Sequence, residues 1–145
     1  MKYSSEIVID RPLSKVIELF DNQDNLKEWM EGLISFEPIS GEPGQVGAKS
    51  RLKFKTDRGE MEMIETVTVR NLPKEFTGTY EAKGVFNIVK NIFIPISETK
   101  TKYITEQEFQ FQGFMKIIGF LMPGAFKKQS MKYLVAFKEF VERTA

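Results

Sequence analysis

The sequence predicts a single α+β domain in which one antiparallel sheet carries its helices on one side. Three observations carry this. Segments with period-two alternation recur between residues 33 and 112 and are joined by tight turns, as hairpin-connected strands require. A first strand and two short helical segments precede them. After Gly113 the pattern changes to apolar residues at three-to-four spacing, which marks a long helix. At 145 residues, one domain spanning 1–145 is expected.

Tyr3–Asp10 reads as the first strand, around Ile7, Val8 and Ile9. Arg11-Pro12 ends it. Pro12 suits the first turn of a helix, and Asp10 is placed to cap it. Val16, Ile17, Leu19 and Phe20 follow at helical spacing, Asp21–Asp24 breaks the helix, and a second short one carries Leu26, Trp29 and Met30. Leu33–Ser40 is a strand. The loop after it holds Gly41, Pro43, Gly44 and Gly47. It lacks the Gly-Lys-Ser/Thr ending of a phosphate loop and opens no helix, so it is a turn or entrance loop.

The clearest alternation follows. Lys49, Arg51, Lys53 and Lys55 interleave with Ser50, Leu52, Phe54 and Thr56, giving one wet and one dry face. Arg58-Gly59 is expected as a two-residue turn. That turn sets Lys55 opposite Glu62 on the wet face, and Phe54 opposite Met63 and Leu52 opposite Glu65 on the dry one. Glu60–Arg70 is the partner strand, and Asn71-Leu72-Pro73-Lys74 turns the chain into Glu75–Ala82, with Phe76 and Tyr80 on one face.

Val85–Ile96 is apolar on both faces. A two-residue Lys83-Gly84 turn puts Asn87 and Asn91 on the side of Tyr80. A turn across Glu98-Thr99 implies the opposite, and only a bulge reconciles the two; the reading preferred is Asn inward. In Lys100–Gln112, Tyr103, Thr105, Gln107, Phe109 and Phe111 share a face. Pro123-Gly124 then divides a short helix, Phe114–Met122, from a long one reaching about Arg143. Its stripe is Phe126, Ser130, Tyr133, Phe137, Phe140 and Val141.

Composition removes several function classes. The chain has no cysteine and no histidine, which excludes disulfides, thiolate catalysis, a histidine base and the usual zinc sites. A net charge of +1 gives no general attraction to nucleic acid. The basic stripe at Lys49–Lys55 lies beside Glu60 and Glu62 and reads as a solvated face, so no nucleic-acid partner is expected. The N-terminus meets charge too early for a secretory signal, and Phe114–Met122 is too short to span a bilayer. A cytoplasmic protein without stable membrane insertion is the expectation.

The order of elements, with several local strings, resembles the START-like (SRPBCC, helix-grip) superfamily. The strings are Ile7–Pro12 with Val16, Leu19 and Phe20; Leu26–Trp29; Glu65-Thr66-Val67 before Asn71-Leu72-Pro73; Thr101–Phe111; and Met131–Val141. The branch it is most similar to is the polyketide cyclase/dehydrase and lipid-transport-like group. The resemblance implies a curved seven-stranded antiparallel sheet gripping the C-terminal helix. It also implies a hydrophobic small-molecule ligand in the space between them. No cofactor is expected.

On that arrangement the inward faces supply the candidate ligand-binding residues. Glu65 is the foremost, a carboxylate on a dry face with Leu52, Phe54, Met63 and Val67, able to anchor a ligand hydroxyl or amine or to move a proton. Tyr80 and Tyr103 offer one phenol each, and Asn87 and Asn91 one amide each. Phe109, Phe111, Phe126, Tyr133 and Phe137 complete the walls. Every one of these has an ordinary reading as core or rim. Trp29 has two readings, a gate at the mouth or packing of the short helices onto the sheet. Phe114–Met122 has four: a lid, a homodimer surface, a membrane-touching segment, or a segment buried against the sheet edge. A non-catalytic carrier or sensor is preferred over two alternatives: a cyclase/dehydratase-type enzyme using Glu65 and tyrosines, and an interaction module resembling the superfamily's chaperone activators.

Overall fold

The structure is a computed structural model and describes residues 1–144. Its elements are β1 (Lys2–Ile9), α1 (Leu13–Phe20), a 3-10 turn Gln23–Asn25, α2 (Leu26–Trp29), β2 (Leu33–Ser40), β3 (Lys49–Thr56) and β4 (Gly59–Asn71). β5 (Glu75–Ala82), β6 (Val85–Ser97), β7 (Lys100–Phe111), α3 (Phe114–Leu121) and α4 (Pro123–Arg143) complete it. The seven strands form one antiparallel sheet in the order β1-β7-β6-β5-β4-β3-β2. Short loops make every neighbour but one a sequential hairpin. The exception, β1 on β7, joins the two ends of the strand series. With the long helix across its inner face, this is the expected helix-grip α+β fold.

Pro12 sits at the N-cap of α1, and no side chain caps that helix. Asp10 is therefore not the cap. Its carboxylate lies 3.7 Å from Lys100 instead.

The expected hairpin register is corrected by two residues. Thr56 pairs with Gly59, so the loop is Asp57-Arg58, and Lys55 faces Glu60, Phe54 faces Met61, Leu52 faces Met63 and Ser50 faces Glu65. The physical reason lies in the turn. Gly59 is the one residue there with positive φ (116°), and it follows the loop instead of lying within it. Thr56 Oγ1 closes the loop by accepting from the Arg58 amide at 3.3 Å and donating to the Gly59 carbonyl at 2.9 Å. A slip of two preserves the side-chain parity, so Leu52, Phe54, Met63 and Glu65 keep the inward facing.

The two turns flanking β6 both form, Lys83-Gly84 and Glu98-Thr99. The register shifts by one between Pro95 and Ser97, and that irregularity absorbs the conflict. Asn87 and Asn91 thus face the same side as Tyr80 and Phe76.

The filled part of the core lies where α1, α2 and α4 meet β1, β6 and β7. It contains Ile9, Val16, Leu19, Trp29, Phe93, Tyr103, Leu134, Phe137, Phe140 and Val141. The Phe137 ring is fully buried, with centroids 5.1 Å from Trp29, 5.5 Å from Tyr103 and 5.9 Å from Phe20. Trp29 accordingly packs the short helices onto the core. Leu134, absent from the expected helical stripe, is buried as well.

Candidate concave-face binding site

Antiparallel register converts the inward residues of successive strands into rows that cross the sheet. One row runs Leu52, Met63, Ala82, Val85 and Phe111, apolar throughout. The next runs Ser50, Glu65, Tyr80, Asn87 and Phe109. The third is Val67, Gly78, Val89, Gln107 and Tyr3, and the fourth Phe76, Asn91, Thr105 and Ser5. Beyond them lie Phe93 and Tyr103, inside the filled core, and Ile7, packed against it. A band of polar side chains therefore crosses the concave face between two apolar zones.

Within the band the polar groups pair locally. Tyr80 Oη donates to Glu65 Oε2 at 2.7 Å. Asn87 Nδ2 donates to Gln107 Oε1 at 3.1 Å and to the Glu108 carbonyl at 3.0 Å. Tyr103 Oη donates to Asn91 Oδ1 at 2.6 Å, while Asn91 Nδ2 donates to the Phe76 carbonyl at 3.1 Å. Tyr3 Oη donates to the Phe126 carbonyl of α4 at 3.0 Å, which leaves Ser130 to donate to Tyr3 across 2.7 Å. Two hydroxyls of the band, Ser5 Oγ and Thr105 Oγ1, are buried without a hydrogen-bond partner. They face each other across the β1–β7 pair. Buried hydroxyls are ordinarily satisfied, so unpaired ones mark where a polar atom is wanted.

Burial governs the electrostatics. It pushes the Glu65 carboxyl above its ordinary pKa, and the Tyr80 hydrogen bond offsets part of that rise. Tyr80 is pushed well above the usual phenol value by burial first, then by the Glu65 charge. Burial raises Tyr103 and Tyr133 too. The phenols are thus donors at neutral pH.

The aromatic walls divide into two groups. Phe137 and Tyr103 belong to the filled core, and Leu52, Phe54 and Val67 are also buried. Phe109, Phe111, Phe126 and Tyr133 stay half-buried, as do Met63, Glu65, Tyr80 and Asn87. Phe109, Phe111 and Phe126 form a ring trio with centroids 5.0 to 5.7 Å apart. At the centre of the face Gly78 presents no side chain, and a Cβ there would meet the Thr66 carbonyl at 3.3 Å, with Glu65 Cγ and the Tyr80 ring at 3.9 Å. A glycine in a strand interior allows close approach of another group.

Two depressions lie outside the grip. One of 320 Å³ is lined by Asp21, Asp24, Gly44 and Arg70 among others, and one of 380 Å³ by Glu31, Lys128, Met131, Lys132, Val135, Ala136 and Glu139. On the outer face, the Arg51 guanidinium reaches Glu62 at 2.7 Å and Glu37 at 3.9 Å, so the basic stripe is interlaced with acids. Among the described residues no helix is long and apolar enough to cross a membrane, and no three Asp or Glu side chains cluster as metal ligands.

Sequence reasoning missed Tyr3, Ser5 and Ser130 as members of the site, and it assigned Thr105 and Gln107 only a facing. The inward alternation of Tyr3, Ser5, Ile7 and Ile9 was the available signal. Its meaning depends on β1 pairing with β7, about a hundred residues away in sequence.

No protein-family model matches the chain, and no curated protein matches its sequence. Solved structures do match. The Zhui aromatase/cyclase from Streptomyces sp. R1128 superposes with a TM-score of 0.82 at 11% identity, covering 99% of this chain and 94% of that one. A conserved protein from Geobacillus kaustophilus gives 0.82 at 17% identity, covering 99% and 97%. Ara h 8.0201 gives 0.75 at 12% identity, covering 97% of each. At such identities the likeness is one of fold.

Proposed function

We propose that this chain, which has the START-like helix-grip fold shared with polyketide cyclases, binds an apolar small molecule on its concave face, as a carrier or sensor. The ligand class is a lipid-like or aromatic metabolite bearing at least one hydroxyl or carbonyl. The observation that carries this is the polar band, with the Glu65–Tyr80 pair and the unpaired Ser5 and Thr105 hydroxyls, set beside the half-buried ring trio. Apolar surface supplies affinity and a few fixed polar groups supply orientation, the usual division in small-molecule sites.

Binding is favoured over proton transfer because the polar groups are engaged with one another. Glu65 is held by Tyr80 and Tyr103 by Asn91, so each of these groups already has a protein partner. The alternative of a cyclase-type enzyme draws on the likeness to the Zhui aromatase/cyclase and on the raised Glu65 carboxyl, which suits a general acid.

Native mass spectrometry of the purified protein, with organic extraction of bound material, tests the reading. A co-purifying lipid or aromatic compound is the expected result. An empty protein that also gains no thermal stability from fatty acids, sterols or flavonoids contradicts it, because a ligand that binds only the folded state must raise Tm.

A further inference from the structure

Helix α3 presents an apolar surface that the fold does not cover. Phe114 is 72% exposed, Ile117 53%, Phe120 84% and Leu121 66%, and Met122 at its C-terminal end is 53% exposed. These are large side chains on consecutive turns of one helix, unlike the scattered single apolar residues elsewhere on the surface. The opposite side of α3 is firmly seated. Gly119 lies so close to Phe111 that a Cβ would fall 2.5 Å from its ring, and Met115 packs at Gly84 in the β5–β6 turn. The helix is thus fixed in place with its other face turned outward.

The charge along this part of the sequence is one-sided. From Phe109 to Lys138 the chain has Lys116, Lys127, Lys128, Lys132 and Lys138 and not one Asp or Glu, a local +5 in a protein of net +1. Among the described residues the first four of these lysines form no ion pair, whereas Lys138 pairs with Glu142 at 2.5 Å. Glu31 and Glu139 share the 380 Å³ depression with Lys128 and Lys132. Lys116 stands within the apolar helix itself, and Lys127 and Lys128 follow within two turns of its end.

We propose that α3, with Lys116, Lys127 and Lys128, is a docking surface for an anionic lipid bilayer. Aromatic and aliphatic side chains enter the interfacial region while lysines meet the acidic headgroups, the pattern of an interfacial amphipathic helix. A protein partner or a second copy would need acidic groups facing the lysines. In a second copy, the two-fold contact of a symmetric dimer would set α3 and its lysines against themselves. Docking would be peripheral, in keeping with a helix of eight residues. The proposal does not rest on the ligand reading, since a protein with no ligand would dock equally.

The test is co-sedimentation of the full chain with phosphatidylcholine vesicles, with and without roughly 30% phosphatidylserine. Binding is expected to the anionic vesicles and to be at least about tenfold weaker to neutral ones, and to weaken about as much when salt rises from about 0.1 to 0.5 M. Phe120→Asp and the pair K127E/K128E should each reduce binding at least about tenfold. Unchanged thermal melts would show that both variants are folded, as the exposure of these residues predicts. Equal or absent binding to the two vesicle types, or binding indifferent to both variants, overturns the proposal. So does concentration-dependent self-association that Phe120→Asp abolishes without any vesicle binding, which assigns the surface to a second copy.

Discussion

The Glu65–Tyr80 pair makes a prediction whose sign is set by the structure. Burial is the main influence on Glu65 and raises its carboxyl, so the folded state holds that proton more tightly than the unfolded chain does. The resulting stabilisation is complete below the ordinary Glu pKa of about 4.3 and fades as pH climbs through the raised folded value. Glu65→Gln removes the titration and leaves an oxygen that accepts from Tyr80. The wild type should therefore lose stability relative to Glu65→Gln between acid and neutral pH, by about 1.4 kcal/mol for every factor of ten between the two acid constants. Tyr80→Phe acts in the opposite direction. It strips the 2.7 Å donor from a buried carboxylate, which costs about 1.5–3 kcal/mol where Glu65 is ionised and about half that where it is protonated. In a chain of this length that is a fall in Tm of roughly 3–10 °C at neutral pH. Urea denaturation of the three proteins across the acid-to-neutral range measures both effects. If the wild type gains stability over Glu65→Gln as pH rises, folding favours the carboxylate and the argument from burial is refuted.

Three further substitutions separate the filled end from the polar band. Tyr103→Phe leaves Asn91 Oδ1 without its partner at a site only 7% exposed and should cost about 1–3 kcal/mol, read by thermal or urea melts. Phe137→Ala opens a cavity among Phe20, Trp29 and Tyr103 and should cost about 3–5 kcal/mol, clearly more than Phe126→Ala in the half-buried trio. Gly119→Ala gains up to about 1 kcal/mol of helix propensity but drives a Cβ into the Phe111 ring. A net loss of about 1–2 kcal/mol is expected, together with altered ligand binding if Phe111 is a wall. A neutral Gly119→Ala would mean that Phe111 moves freely and that α3 is loosely seated.

Local pattern made most of the fold legible. Alternation in Lys49–Thr56 and Lys100–Phe111 fixed facing without fixing register, because a slip of two at the Asp57-Arg58 loop leaves every side chain on its own face. That is why the inward facing expected of Glu65 holds while its partner is Ser50 and not Leu52. The facing of β6 needed a bulge that neither flanking turn could locate alone, and Pro95-Ile96-Ser97 holds it. What local pattern could not supply was the contact between sequence-distant elements. The pairing of β1 with β7, and of Tyr3 with Ser130 on α4, depends on closure of the whole chain. The side that α3 turns outward was equally hidden, since its sequence is apolar nearly all round and only the seating of Gly119 on Phe111 decides which residues are left exposed.

The polar band also bears on why the concave face is not simply a core. Desolvated polar groups repay their burial only when each is satisfied, and an apolar substitute of the same shape is often at least as stable. Asn91 meets that condition through the fold itself, with Phe76 and Tyr103 as partners. Asn87 does so through Gln107 and the Glu108 carbonyl. Glu65 is different, because its carboxyl pays for burial with a single phenol in return. Ser5 and Thr105 are different again, buried with no partner at all. Packing alone gives no reason to keep a carboxylate and two unpaired hydroxyls on a face where Leu52, Val67 and Val89 show that apolar residues fit. On the binding reading proposed above, a ligand with its own polar atoms supplies that reason for Glu65, and the Asn91–Tyr103 and Asn87–Gln107 pairs stay intact.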